Sequence, residues 1–265
     1  MSSASLGPQA PGPQTPGPQS VDRALEILDA VAEAGGPVGA KVLARRLGCS
    51  LSTVYHLLGP LTARGYLVRA EGGGYAPGPG VAVLHRAFRR RVGAGPGVGG
   101  VLARLRRESG AEAYFSAYRD GRITVVDSTA PVTDTAHPFV PGPEVRAHAT
   151  AHGKVLLAGL SRGGRRRFLA EHGMARFTDR TITGAEPLEA ELARVRGRGF
   201  AVSVGEADPA YTCVAMAVPG GDGEARHALS VSLPTAEFRH RYGRVRAAVA
   251  GAVAAFHDGA GIPGA

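Results

Sequence analysis

One glycine, Gly48, most constrains what this 265-residue chain can fold into. Residues 38–47 before it and residues 50–64 after it both carry apolar side chains at helical spacing. Glycine adopts the left-handed backbone that a tight turn needs, and Ser50 can cap the second of these helices. Two helices joined so closely cross steeply and bury a shared apolar wedge. The pattern therefore predicts a helix-turn-helix.

The flanking residues extend this unit to three helices and a hairpin. A first helix is predicted from Ser20, its cap, to the Gly-Gly-Pro sequence at 35–37. Val21, Leu25 and Val42 are expected to face the core, because they fall on the apolar side of their helices. Residues 66–69 are predicted to be a strand, which three glycines at 72–74 turn back. Residues 20–78 are thus predicted to form a winged helix-turn-helix domain.

The third helix is predicted to leave one face polar. Short hydrogen-bonding side chains on such a face suit base edges and phosphates in a DNA major groove. The predicted DNA contacts are Ser50, Ser52, Thr53 and His56, with Arg64 and Arg69 on phosphates. A three-helix unit without a ligand is the alternative. The small Ala44 and the turn glycine stand in helix-turn-helix register, which favours DNA binding.

Charge supports this interpretation only weakly. The net charge of +9 favours a polyanionic partner, yet nearly all the cations are arginine, so an arginine-rich proteome explains it equally well. The distribution is more informative, because residues 79–107 hold seven arginines and no acid. Residues 79–97 are predicted to be a linker helix and a flexible hinge. The linker arginines either contact phosphates beside the wing or form a solvated face.

Several sequence features argue against other classes of protein. The Pro/Gly/Gln repeat in residues 1–19 predicts a disordered tail, and residues 259–265 predict a second flexible tail. No membrane-length apolar run or signal peptide is evident, and two isolated cysteines suggest a reducing compartment, so we expect a cytoplasmic protein. The G-x-G-x-x-G spacing at Gly95, Gly97 and Gly100 follows a predicted helix rather than a strand, which argues against a dinucleotide site.

Residues 98–258 are predicted to form a second domain of the α+β class. A short amphipathic helix is followed by two strands around Asp120-Gly121, a strong hairpin signal. Further helices are predicted from about Thr150, at 165–172 and up to Gly197 or Gly199. Strands at 200–204, 213–218 and 227–233 precede a long helix at 235–255. Antiparallel strands with helices packed on them complete the predicted fold.

Residues 20–255 resemble the IclR family of bacterial transcription regulators. The resemblance rests on residues 20–69, on HATAHGKVLLAGL (148–160), on LARVRGRGFAVSVGEADP (192–209) and on the CVAMAVP and ALSVSLP strands. It implies a winged DNA-binding domain, a linker helix and an effector domain that binds a small, often acidic or aromatic, metabolite. It also implies a homodimer or homotetramer bound to double-stranded operator DNA, most often as a repressor, without a cofactor.

The resemblance also implies an effector pocket. Ala151 and His152 stand where backbone N–H groups at a helix start meet the ligand, which agrees with the anion preference of helix N-termini. The remaining implied pocket residues are Ser203, Cys213, Ser230 and Ser232. Glu206 matches a recurrent glutamate that orders the next loop. His152, Ala210 and His56 depart from residues more usual in the family, which leaves the effector and the operator sequence open.

Two rival functions are weighed against regulation. His148 and His152 have the i,i+4 spacing of a metal pair, but two ligands do not close a zinc site, so no metal is predicted. An enzyme is disfavoured because no paired acid and base or nucleophile motif is evident. The basic linker keeps a sequence-indifferent architectural DNA binder as the nearer alternative.

Overall fold

The computed structural model describes residues 18–130, 141–219 and 226–256, and the chain divides into two compact units. The division falls between His85 and Arg86. The two predicted tails lie almost entirely outside the described residues, as does most of the Pro-rich connection after Ala130.

The first unit is a winged helix-turn-helix, as predicted. Its elements are α1 (Gln19–Glu33), α2 (Ala40–Leu47), α3 (Leu51–Ala63), β1 (Leu67–Arg69) and β2 (Tyr75–Pro77). The turn glycine, Gly48, has φ 61°, and its N–H donates to the carbonyl of Ala44. β1 and β2 pair antiparallel, with Arg69 opposite Tyr75. Val38 adds one further bridge to Tyr75 through two backbone hydrogen bonds of 2.9 Å.

The core of this unit is smaller than the sequence predicts. Ile27, Leu43, Leu58 and Leu67 are fully buried. Three residues expected in the core are instead exposed, since α1 and α2 carry wider apolar stripes than their neighbours cover; they are Val21 at 51%, Leu25 at 55% and Val42 at 45%. Ser20 is also not a cap. The helix begins at Gln19, because the carbonyl of Pro18 already accepts from the N–H of Val21 at 2.7 Å.

Helix α4 (Pro79–Arg91) follows the wing, and none of its residues is buried. Four large apolar residues on it are exposed: Val81, Val83, Leu84 and Phe88. The segment predicted to be a flexible hinge is packed rather than open, because Val92, Ala94 and Gly95 are buried and Val98 already begins the next helix.

The second unit is built on one six-stranded antiparallel sheet of order β5-β4-β3-β8-β7-β6. Its strands are β3 (Glu112–Arg119), β4 (Arg122–Ser128), β5 (Gly142–Pro143), β6 (Phe200–Val204), β7 (Tyr211–Val218) and β8 (His227–Pro234). Its helices are α5 (Val98–Ser109), α6 (Ala151–Gly159), α7 (Arg162–His172), α8 (Ala185–Arg198) and α9 (Thr235–Ala255), with a 3-10 turn (Ala147–Ala149) before α6.

Each face of the sheet carries its own core. On one face, Phe115, Leu229 and Val231 pack with buried residues of α5 and α9. On the other, Tyr114, Cys213 and Ala215 pack with the 3-10 turn, α6 and α8. Alternate residues of one strand therefore serve different cores, as the two-residue period of a strand requires.

Most predicted elements of this unit are confirmed, with three differences. Asp120 and Gly121 both have positive φ, as the predicted hairpin needs. Helix α7 starts at Arg162 rather than at residue 165, because the Ser161 hydroxyl caps the N–H of Gly164 at 3.1 Å. β7 starts at Tyr211, two residues early, and the short edge strand β5 was not predicted, since a Gly-Pro pair carries no strand pattern.

Candidate DNA-binding surface and ligand pocket

The outer face of α3 is a continuous exposed stripe. Ser52, Tyr55 and His56 are exposed and lie at i, i+3 and i+4, while Val54, Leu57 and Leu58 are buried on the opposite side. Ser52 and His56 were predicted on this face. Tyr55, 51% exposed, was missed, although its three-residue spacing from Ser52 placed it there.

Two other predicted contacts build the start of α3. The Ser50 hydroxyl accepts from the backbone N–H of Thr53 at 3.1 Å, and the two side-chain oxygens lie 2.9 Å apart. Ser50 is therefore the helix cap, and half-buried Thr53 completes the capping pair. Arg64 at the end of α3 and Arg69 on β1 are exposed.

The predicted pocket residues of the second unit lie around the N-terminus of α6. Ala151 and His152 are its first two residues and are at most 1% exposed. The Thr150 hydroxyl caps the helix by accepting from the N–H of Gly153 at 3.2 Å. The helix closely approaches the turn before it, since a Cβ on Gly153 would lie 2.1 Å from the carbonyl oxygen of Ala147.

A buried acid that sequence reasoning missed, Glu144, faces this helix start. Its Oε2 lies 2.9 Å from Nε2 of His152, and its Oε1 accepts from the backbone N–H of Arg146 at 2.7 Å. The Arg146 guanidinium is 3.4 Å from the same oxygen. Burial opposes ionisation of Glu144, but the hydrogen bond and charge of His152, together with Arg146, outweigh it and hold the pKa below its ordinary value. The signal for this residue was weak, because a lone glutamate in a Pro/Gly-rich stretch reads as a surface loop.

Ser203 and Cys213 lie side by side on β6 and β7, as registered partners. The Ser203 hydroxyl donates to the carbonyl of Ala149 at 2.5 Å, so it holds the turn before α6 in place. The Cys213 thiol is buried, and burial raises its pKa to about 12. Cys213 is therefore a buried, neutral thiol rather than a nucleophile.

Ser230 and Ser232 share the face of β8 that lies beneath α6. They are registered with Ala215 and Cys213, and they are at most 2% exposed. Their hydroxyls have no hydrogen-bond partner among the described residues, and neither does that of Ser116 on adjacent β3. Buried hydroxyls are normally paired, so unpaired ones on one face suggest a place where a ligand supplies the partner.

A buried ion pair joins α6 to the loop after β6. Lys154 Nζ lies 2.5 Å from Oε1 of Glu206, and both residues are buried. Burial raises the pKa of Glu206, and Lys154 offsets only part of that rise. Thr178 and Thr181 donate to the backbone carbonyls of this loop at 2.7 Å, which agrees with the loop-ordering role implied for Glu206.

Two negative findings apply to the described part of the chain. No group of three or more His, Cys, Asp or Glu side chains there could hold a metal ion. No helix there is long and apolar enough to cross a membrane.

A winged helix-turn-helix whose third helix is capped and exposed, joined by a helix to an α+β unit with buried unpaired hydroxyls, has the parts of a transcription regulator. Comparison with known proteins specifies the class further. Residues 20–71 match the model of the IclR helix-turn-helix domain, and residues 98–256 match that of the bacterial transcriptional regulator IclR C-terminal domain. The chain belongs to the IclR family.

Individual relatives agree with this membership. The HTH-type transcriptional regulator BhcR of Paracoccus denitrificans is 34% identical over 218 residues, which cover 82% of this chain and 77% of BhcR. The transcriptional repressor IclR of Escherichia coli is 27% identical over 219 residues, 81% of this chain and 80% of that protein. An IclR homolog from Microbacterium hydrocarbonoxydans, solved in complex with 4-hydroxybenzoate, shares the fold with a TM-score of 0.63 at 18% identity, over 90% of this chain and 99% of that one.

Proposed function

We propose that this regulator is a sequence-specific repressor that acts in the bacterial cytoplasm. A small organic acid would control its affinity for operator DNA. The observation that supports DNA binding is the exposed stripe of Ser52, Tyr55 and His56 on α3. Ser50 and Thr53 fix the start of that helix. A rigid helix with a polar outer face can enter a major groove and hydrogen-bond to base edges. Arg64 and Arg69 would contact phosphates on either side of it.

A homodimer or homotetramer fits the exposed apolar side chains of α4. Val81, Leu84 and Phe88 lie at i, i+3 and i+7, which forms one stripe along a helix that has no buried residue of its own. A second copy of α4 would cover this stripe. Pairing would present two recognition helices to half-sites one or more helical turns apart.

An organic acid, aromatic or aliphatic, suits the pocket for two reasons. The α6 N-terminus favours an anion, and the unpaired Ser230 and Ser232 hydroxyls on the sheet below can donate to it. The Microbacterium hydrocarbonoxydans homolog was solved with such an acid, 4-hydroxybenzoate. Effector binding would release DNA only if the acid prefers one of two arrangements of the protein, as linkage requires.

Repression is supported by the name of the Escherichia coli relative, a transcriptional repressor that matches 81% of this chain. The proposal is tested by selecting bound sequences from a random DNA pool with the full-length chain. A single enriched, two-fold symmetric site is expected, and bound complexes should dissociate when the correct acid is added. A pool that stays random after several rounds would contradict sequence-specific binding.

The architectural alternative rests on the linker arginines, and the structure gives it less support. Arg89 lies 2.7 Å from Asp127, and Arg91 lies 2.6 Å from Asp120, so two of the four arginines on α4 already have acidic partners. Equal affinity for random and selected DNA at physiological salt would favour that alternative.

A further inference from the structure

The anion position at the start of α6 already faces an anion of the chain itself. Glu144 is 5% exposed, and its carboxylate lies 2.9 Å from the ring of His152, the second residue of α6. The backbone N–H of Glu144 donates to the carbonyl of Ile123 at 2.9 Å. The side chain therefore reaches from the edge of β4 toward the helix start.

Glu144 holds its negative charge beside the helix start where an effector carboxylate is proposed to bind. Its oxygens accept hydrogen bonds from Nε2–H of His152 and from the backbone N–H of Arg146, and the Arg146 guanidinium balances its charge. Ala151, which precedes His152 at the start of α6, packs in the same buried cluster as Cys213, the residue registered with Ser232. Glu144 and the unpaired serines therefore belong to one buried site.

Two carboxylates in one buried site repel each other. We propose that Glu144 is a specificity-determining residue of the effector pocket: an internal carboxylate that competes with the carboxylate of an acidic effector and is displaced when that effector binds. This inference rests on the proposed effector site and specifies how the site discriminates among ligands. Glu144 would thus select for acids whose other contacts to the pocket, such as those to Ser230 and Ser232, are strong enough to displace its carboxylate.

A purely supporting role for Glu144 makes the opposite prediction. If the acid only orients His152 toward the ligand, then removing its charge weakens carboxylate binding. If it competes, then removing its charge strengthens that binding. The sign of the change in affinity therefore separates the two roles.

The test compares the unmodified full-length chain with Glu144→Gln, which keeps the shape and the acceptor for His152. Affinities of 4-hydroxybenzoate and of its neutral isostere 4-hydroxybenzamide are measured by thermal titration, alongside a panel of other carboxylates and their amides. We expect Glu144→Gln to bind carboxylates about tenfold or more tightly and the amides unchanged. The matched control is Glu189→Gln, whose acid pairs with Arg165 on α7, away from this pocket, and should alter neither affinity.

A second measurement needs no variant. Displacement of Glu144 frees the N–H of Arg146, so its hydrogen exchange should become faster when a carboxylate binds, while exchange across α6 becomes slower. Slower exchange at Arg146, or weaker carboxylate binding by Glu144→Gln, would overturn the inference. Carboxylate binding that is identical in the two proteins would overturn this inference alone. A pocket in which neither protein binds any carboxylate would overturn the proposed effector class as well, and would leave DNA binding untouched.

Discussion

The hydroxyl of Ser203 on β6 lies 2.5 Å from the carbonyl oxygen of Ala149, in the turn that precedes α6. This bond ties the sheet to the start of the helix where the effector is proposed to bind. Resemblance to the family implied Ser203 as a ligand contact. The same hydroxyl already holds the turn before α6, and this difference from the unpaired Ser230 and Ser232 shapes the predictions for the three serines.

Replacement of Ser230 and Ser232 together with Ala should remove effector binding without destabilising the protein. Their hydroxyls are buried without partners among the described residues, so their loss costs the free chain little. Each lost hydrogen bond to an acid should cost about 1.5–3 kcal/mol of binding. Melting with and without the effector checks both parts. Ser203→Ala is the matched control: it should lower the melting temperature itself, since it leaves the Ala149 carbonyl unpaired.

Replacement of Ser52 and His56 with Ala should weaken operator binding while the fold stays intact. Both side chains are exposed on α3, and a lost base contact costs about 1–3 kcal/mol. Gel-shift titration at physiological salt measures the effect, with the exposed His240→Ala on α9 as a matched control. Undiminished operator affinity in the double variant would refute the assigned face. Ser50→Ala should instead destabilise α3 by about 1 kcal/mol, because Ser50 is the cap.

Gly153→Ala should severely destabilise the second unit. The added Cβ would lie 2.1 Å from the Ala147 carbonyl oxygen and 2.4 Å from its Cα, and these backbone atoms cannot move aside as a flexible side chain could. We expect a loss of about 2 kcal/mol or more in the free energy of unfolding, measured in urea. Gly197→Ala in α8 is the control, since nothing lies within 4 Å of its Cβ position. That variant should be neutral or stabilising by up to about 1 kcal/mol.

The stability of the second unit should fall on mild acidification, in part through His148. Burial lowers the pKa of His148, although its hydrogen bond to the Ala175 carbonyl at 2.9 Å opposes this. Because the folded pKa lies below the ordinary value of about 6.5, the unfolded chain binds the proton more readily. Stability is therefore full above about pH 6.5 and is lost as pH falls from there through the folded pKa. In urea melts at pH 7.5 and 5.5, His148→Gln should lose less stability than the unmodified chain; an equal loss would exclude His148 as a cause.

Cys213 should resist alkylation while the protein is folded. Its thiol is buried with a pKa of about 12, so the reactive thiolate is scarce at pH 8. Mass spectrometry after iodoacetamide treatment should find Cys49, which is only half-buried, modified far sooner. Comparable labelling of the two residues in the native protein would contradict the buried, neutral assignment.

Periodicity, caps and turn glycines made the fold predictable, because those signals are local. Gly48, the Asp120-Gly121 hairpin and the helix start near Thr150 all appear where expected. Exposure was harder to predict. Leu25 has the same local pattern as a core residue, and only the limited extent of α2 and α3 leaves it exposed.

Only part of the proposed effector site was predictable, because only part of it follows from local sequence patterns. Ser230 and Ser232 share a strand face by spacing alone, so their joint position could be read from the sequence. The pairing of Glu144 with His152 could not, because it depends on how the chain returns from β5 across the sheet edge to α6. No local pattern encodes that approach.

Two ion pairs, Glu144 with Arg146 and Glu206 with Lys154, place opposite charges close together around α6 and so balance each other there. Exchange of a single charged side chain there would shift that balance by a whole unit without touching the hydrophobic framework. A lineage could thus be retuned from one class of inducer to another by one substitution, while its operator and its architecture stay as they are.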